Sequence, residues 1–246
     1  MFKFNYICSI FFTIISINFA NAQSFNFLPK VSGNQLIKHT YFTLSYSEKD
    51  EQAEWVAYMT CRKRMGGIIK RSDKFVSDPL VLSQSAKPED YRKSGYDRGH
   101  LAPAADMKFD EIAMKECFYM SNISPQSPSF NRGIWRILEE QIRNWAFQFD
   151  TLYIVTGGIL KSIETKIGYN EVSVPNYYFK VILKYTDKEQ KAIAFIMPNQ
   201  KGEQPIYNYA VTIDKIEEMT GIDFFPELPD KIEKKLESQL NIDFWK

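Results

Sequence analysis

His100 is one of two histidines in the chain. Asp97, Arg98 and Gly99 precede it and Leu101, Ala102, Pro103 and Ala104 follow, so its imidazole stands where a polar segment runs into apolar residues. An ordinary imidazole titrates near pH ~6.5, is largely neutral at pH 7 and can take a proton from water. A lone histidine is also commonly a satisfied structural residue, and the ring alone does not decide. Gly99 reads as a place where missing side-chain bulk lets the backbone turn tightly and an anion approach. Asp97 and Arg98 read equally as a local ion pair that stiffens the segment or as a phosphate contact. Asn131 precedes a run with helical spacing, where Asn is a favoured N-cap. Glu139 and Arg143 lie four apart and share a helix face, by itself an ordinary ion pair worth ~0.5 kcal/mol or less. No two of His39, His100, Cys61 and Cys117 have zinc-ligand spacing, so a structural zinc site is not expected.

Three blocks give these residues a context: DRGHLAPAAD at 97–106, MSNISPQSPSFN at 120–131 and WRILEEQIR at 135–143. In this order they resemble the DNA/RNA non-specific endonuclease family. The resemblance runs from about His39 to Pro229 and takes in TGG at 156–158 and TGIDFF at 220–225. It implies a ββα-metal finger and hydrolysis of internal phosphodiester bonds in DNA and RNA with little sequence preference. His100 is then the general base that activates water, and the products carry 5′-phosphates. Asn131, nine residues after Asn122, holds the metal, Mg²⁺ or Mn²⁺, while Asn122 orients the site by hydrogen bonding. Glu139 reaches a metal-bound water, and Arg143 faces the phosphate. Arg71 matches the family's upstream arginine, with Arg64 and Lys70 as close competitors, and Arg98 stands beside the base. A hard cation accepts an amide oxygen and keeps most of its waters, so one protein ligand suffices.

Magnitudes rank these roles. Phosphodiester hydrolysis asks an enzyme to remove on the order of 20 kcal/mol from the barrier. A general base supplies ~10²- to 10⁴-fold. The cation, Arg143 and a second arginine must therefore stabilise most of the charge that develops. Recognition through phosphates carries no base information, which accounts for non-specificity. The rival readings are a nuclease-like nucleic-acid-binding module without catalysis, a phosphodiesterase acting on small nucleotides, and a surface interaction protein.

Hydrophobic periodicity supplies the elements that position these residues. Tyr41–Tyr46, Glu54–Thr60, Leu152–Thr156, Tyr177–Tyr185 and Ala192–Met197 read as strands, and Phe118–Ile123 as an extended segment ended by Pro125. Helices are expected over Asp106–Glu116, Ile134–Phe149, Thr212–Thr220 (closed by Gly221) and Asp230–Leu240. Ser72–Leu82 reads as connecting backbone and Lys87–Gly99 as a long loop. Without βαβ alternation, the order predicts an α+β fold, a mainly antiparallel central sheet flanked by helices.

A hydrophobic content of 44% with 15% aromatics excludes a disordered chain. The net charge of +1 argues against bulk attraction to nucleic acid. Its distribution is uneven: residues 61–145 hold 15 Lys plus Arg against 11 Asp plus Glu, and residues 201–246 hold 6 against 10. A basic centre of this kind can form a phosphate-attracting groove. Residues 1–22 read as a signal peptide ending at Ala20-Asn21-Ala22, which leaves one domain over 23–246. Asn5, Ser9, Thr13, Ser16 and Asn18 interrupt its apolar run, which falls short of the ~20 residues that span a bilayer. The expectation is an exported protein, periplasmic or secreted, with no membrane contact after cleavage. In an oxidising compartment Cys61 and Cys117 are candidates for pairing, a question their spacing leaves open.

Overall fold

Strand-forming aliphatic and aromatic residues dominate the segments that pair into the central sheet. The structure, a computed structural model, describes residues 26–30, 33–83 and 85–246, so the segment read as a signal peptide lies outside the described residues. In chain order the strands are β1 (Gln35–Lys38), β2 (Phe42–Ser47), β3 (Gln52–Cys61), β4 (Asp97–His100), β5 (Ile123–Gln126), β6 (Thr151–Gly158), β7 (Lys166–Ile167), β8 (Val172–Ser173), β9 (Tyr177–Tyr185), β10 (Gln190–Pro198) and β11 (Ala210–Val211). The α-helices are α1 (Glu111–Glu116), α2 (Arg136–Phe149), α3 (Ile213–Thr220) and α4 (Asp230–Ser238). Seven strands form one sheet in the order β1-β2-β3-β6-β9-β10-β11. Every pairing in it is antiparallel, as the α+β reading predicts.

Period-two alternation sends side chains to opposite faces of this sheet. Leu44, Tyr58, Ile154, Ile182 and Phe195 join a core with Leu138, Ile142 and Trp145 of α2. Trp55, Val155, Phe179 and Val181 join a second core with Ile213 and Ile216 of α3, Leu236 of α4, and Phe224 and Phe225. The middle strands are covered on both sides, which is why β9 is almost continuously buried. Trp145 anchors the back of α2, its Nε1 donating to the Trp245 carbonyl at 2.8 Å.

A small unit sits beside this layered body. β4 and β5 pair antiparallel, with His100 opposite Ile123 and Arg98 opposite Pro125. Proline is tolerated because this ladder has only two strands. Ser124 docks the unit onto the sheet through Gln52 of β3 (2.5 Å) and Tyr178 of β9 (2.6 Å). The chain then makes a widened helical turn, Phe130–Trp135, broken at Gly133 (φ −104°, ψ −114°), before α2 begins. The unit is two strands followed by a helix.

Local chemistry moved several expected boundaries. The helix expected over Asp106–Glu116 is a short 3-10 turn, Ala104–Met107, followed by α1, because Asp110 caps the backbone amides of Ile112 and Ala113. The extended segment expected over Phe118–Ile123 is a turn at Met120–Asn122 followed by β5, which continues through Pro125. The long loop expected over Lys87–Gly99 contains a 3-10 turn, Pro88–Tyr91, and most of β4. Thr212 and Gly221 terminate α3 as expected, the glycine at φ 79°.

Asp78 links three of these pieces. Its carboxylate accepts from Ser121 at 2.5 Å and from the Leu80 amide at 2.9 Å, and it contacts His39 Nε2 at 2.8 Å. The Asp78 and His39 side chains are both buried. Burial alone would raise the Asp78 pKa, but the bonds from His39, Ser121 and Leu80 outweigh it and hold the carboxyl below its ordinary value. Asp78→Ala is expected to destabilise the fold by about 3 kcal/mol at pH 7, measured by urea unfolding. A depressed folded pKa means the contribution is complete above the unfolded value of ~3.9 and fades as pH falls through the folded value. The gap between native and variant chains should narrow in acid; a constant gap from pH 7 to 3 would show that these bonds are not its source.

Candidate active site

β4 delivers His100 to the edge of a cleft of about 410 Å³ lined by Arg71, Arg98, His100, Asn131, Arg132, Arg136, Glu139, Glu140 and Arg143, among others. The imidazole is 8% exposed. It lies edge-on to Phe118 at 4.7 Å and near Phe75 at 5.5 Å between ring centroids. Its Nε2 is enclosed and meets no hydrogen-bond partner. Burial, then the positive charges of Arg71 and Arg98, push its pKa down to about 3. His100 is therefore neutral at pH 7 with margin to spare, where the sequence offered only the ordinary value.

Gly99 has a different reason from the one expected. It lies in a strand, not a tight turn, and a Cβ there would meet the Gln126 side chain at 2.2 Å. The missing side chain admits Gln126 from the paired strand. Asn122 is also not at the cleft surface. It is fully buried, its Oδ1 accepting from the Ala102 amide at 2.9 Å and its Nδ2 donating to Ala102 O (3.0 Å) and Cys117 O (2.8 Å). Its backbone carbonyl accepts from Leu101. Asn122 thus braces the segment immediately after His100 from the turn Met120–Asn122.

Asn131 lies inside the widened turn and caps no helix; Trp135 occupies the N-cap position of α2. Its Nδ2 donates to Asp97 Oδ2 at 2.9 Å, which turns the amide oxygen away from Asp97. Arg132 bonds the same carboxylate at 2.6 and 2.8 Å. Burial would raise the Asp97 pKa, but the bonds from Arg132 and Asn131 bring it below the ordinary value. The alternative of an Asp97–Arg98 pair is thereby corrected: Asp97 reaches across to the turn, and Arg98 stacks over Phe75 at 4.3 Å. Because Gly133 breaks the helix, Asn131 is not on a regular four-residue series with Glu139 and Arg143.

Glu139 and Arg143 do share one face of α2 and line the cleft. Arg143 pairs with Asp106 at 3.0 Å, the Asp106 side chain being buried and that of Arg143 only 23% exposed. This is no ordinary surface pair. Burial, reinforced by Asp106 and Glu140 and opposed by Lys180 and Arg143, pushes the Glu139 pKa up. Arg71 lines the same cleft, paired with Asp73 at 2.5 Å and stacked over Phe118 at 5.0 Å. Its competitor Arg64 stacks on Phe109 and Tyr41 instead.

Sequence reasoning missed Asp106, Arg132, Arg136 and Lys180. Asp106 was visible as the last residue of the DRGHLAPAAD block, and Lys180 as a lone charge within the apolar run Tyr177–Leu183. Five arginines against two glutamates make the cleft basic although the whole chain carries only +1. Among the described residues, the one converging group of three metal-binding side chains is Asp214, Glu217 and Glu237, on and beside α3 and α4 and remote from α2. The cleft itself offers an amide oxygen and a half-buried carboxylate, hard oxygen donors of the kind that a hydrated divalent cation accepts. Cys61 and Cys117 are both free. No described helix is long and apolar enough to cross a membrane.

The family model for DNA/RNA non-specific endonucleases matches residues 21–231. Mitochondrial nuclease EXOG of Danio rerio is 35% identical over 218 residues, covering 82% of this chain and 63% of its own. Mitochondrial endonuclease G of Homo sapiens is 32% identical over 209 residues, covering 79% of this chain and 70% of its own. The chain spans about three-fifths of the length of the EXOG relatives it matches. In three dimensions it is similar to the endonuclease G crystallised with EndoGI, with a TM-score of 0.74 and 28% identity over 81% of this chain and 89% of that one. These relatives correct the expectation of export, since they are mitochondrial nucleases and not secreted ones. With a family match across most of its length and the two-strand-and-helix unit in place, the chain belongs to the DNA/RNA non-specific endonuclease family.

Proposed function

We propose that the chain is a cation-dependent endonuclease that hydrolyses internal phosphodiester bonds of DNA and RNA with little sequence preference. The observation that carries this reading is the convergence of a neutral, desolvated imidazole, an oriented amide oxygen and several guanidinium groups on one cleft. Arg71, Arg98 and Arg143 hold the scissile phosphate and offset charge on its equatorial oxygens. His100 takes a proton from the water that attacks phosphorus in line; with Nε2 enclosed, Nδ1 is the ring nitrogen assigned to accept it. The bond from phosphorus to the 3′ oxygen breaks, leaving the phosphate on the 5′ end.

Asn131 offers its amide oxygen to the cation, and Glu139 accepts hydrogen bonds from hydration water. A bound Mg²⁺ or Mn²⁺ supplies Lewis-acid stabilisation of the departing oxygen. Asn122 acts at one remove by fixing the backbone beside His100. Contacts of this kind address the sugar-phosphate backbone, which explains acceptance of many sequences. A binding module without catalysis has no use for a buried, unprotonated His100 beside the anion-binding arginines.

Supercoiled plasmid incubated with the protein and Mg²⁺ is expected to become nicked and then linear, and RNA to be degraded. His100→Ala should lower the rate by at least ~10²-fold, and chelator should abolish it; activity that survives chelator would remove the cation from the mechanism. DNA fragments should accept a 5′ label from a kinase only after phosphatase treatment, whereas direct labelling would mean that the other phosphodiester bond is cut. NMR titration of the imidazoles in chelated protein should place His100 near pH 3; a midpoint near ~6.5 would mean that the ring is not desolvated as described.

A further inference from the structure

Next to the cleft lies a second cavity of about 390 Å³, within the ~300–1,000 Å³ range of sites that take small organic ligands. It sits between the Pro88–Tyr91 turn and the first residues of β4. Arg98 lines both cavities, so the second continues the first. Its guanidinium is held over Phe75 at 4.3 Å. Asp97 forms part of the wall, its charge already met by Arg132 and Asn131. The remaining charges of the wall are those of Arg92 and Glu89, both exposed. Two guanidinium groups are thus set against the single carboxylate of Glu89.

Two tyrosines share this lining. Tyr91 is buried, its hydroxyl donating to the Ile123 carbonyl at 3.4 Å. Tyr96 is half-buried and packs against the small core that holds Tyr91, Met120, Ile123 and Val172. Local bonds fix it there: Ser94 Oγ donates to Tyr91 O at 2.9 Å and accepts from the Tyr96 amide at 3.1 Å. Lys93 and Gly95 in the intervening turn take left-handed backbone, φ 57° and 85°. The Pro88–Tyr91 turn is pinned as well, Asp90 accepting from the Asn170 amide at 3.1 Å and from its side chain at 2.7 Å. The cavity is therefore preformed, and little ordering entropy is lost when a ligand enters. An aromatic ring beside a guanidinium is the pairing that holds an unstacked nucleotide, with the base on the ring and the phosphate on the arginine. An apolar ligand would have no use for Arg92 and Arg98, and a phosphate alone none for the tyrosine.

We propose that this cavity is a substrate subsite in which Tyr96 stacks the base of a nucleotide next to the scissile phosphate, Arg92 meeting its outer phosphate and Arg98 bridging to the cleft. The role rests on the nuclease reading, which sets the scissile phosphate in the adjoining cleft. Every base has a π face, so the contact holds any of them and reads no sequence. A base enters only after leaving its own stack, and the subsite therefore engages single strands and locally opened duplex. Binding there adds to substrate affinity without touching the reacting atoms.

The test measures binding by the full chain in chelator, by fluorescence anisotropy of two dye-labelled probes. One is a short single-stranded thymidine oligonucleotide, the other a strand of the same length with abasic sugars throughout. Tyr96→Ala should weaken binding of the thymidine strand by roughly 5- to 100-fold, the worth of one stacked base, and leave the abasic strand unchanged. Tyr96→Phe, which keeps the ring, should bind both strands as the native chain does. An unchanged affinity in Tyr96→Ala, or an equal loss on both strands, overturns the proposal. If Tyr96→Ala does not fold, a thymidine strand carrying 5-iodouracil is irradiated on the native chain. A cross-link mapped to Tyr96 supports the subsite, and its absence there overturns it. Plasmid cut with Mg²⁺ while Tyr96→Ala binds both strands normally removes the subsite and keeps the nuclease reading. A base-dependent loss in a chain that cuts no plasmid keeps the subsite and removes that reading.

Discussion

The Asp97 carboxylate joins the two halves of the cleft. It belongs to the strand that carries His100, and it accepts hydrogen bonds from Asn131 and Arg132 on the turn that leads into α2. A strand and a helix joined by a broken turn have considerable freedom to rotate against each other, and a charge-assisted, bidentate contact removes it. Asn122 does the equivalent work on the other side of His100 by bonding the backbone of Ala102. The positions of His100 and of the Asn131 amide oxygen follow from these clasps and from the docking of β5 onto the sheet.

The arginines do two things at once. They make a basic cleft in a chain of almost no net charge, which concentrates attraction for phosphate where it is useful. Arg71 and Arg98 also add to burial in keeping His100 unprotonated. On the proposed nuclease reading, attraction for phosphate and an unprotonated His100 come from the same side chains. A bound phosphate neutralises part of their charge, so the imidazole becomes a better proton acceptor when a substrate is present.

Much of this was legible in the residues themselves. Alternation located β2, β3, β6, β9 and β10, and the apolar stripe of α2 located the helix that bears Glu139 and Arg143, because these elements bury one or two whole faces. His100, Asn131, Glu139, Arg143, Arg71 and Arg98 all line the cleft; all but Arg71 stand in the motif blocks, and Arg71 came from a looser upstream match with Arg64 and Lys70 as competitors. β4 and β5 were misread because their polar residues and Pro125 give a loop-like pattern, and their pairing is set by contacts 23 to 29 positions apart. The bonds from Arg132 to Asp97 and from Arg143 to Asp106 span 35 and 37 positions, and no local rule predicts such partners. Gly99 was explained by flexibility when its cause is steric, the side chain of Gln126 on the facing strand.

Trp245 lies against the back of the helix whose front carries Glu139 and Arg143, and it accepts the Trp145 indole proton from 100 positions away in the chain. On the ribosome, α2 emerges long before that partner exists. Strands β6, β9 and β10, which α2 must also cover, are likewise still to be made. A nascent chain halted before these segments therefore holds its histidine and its helix without the surface that seats them together, and the cleft is assembled only after Trp245 has joined it.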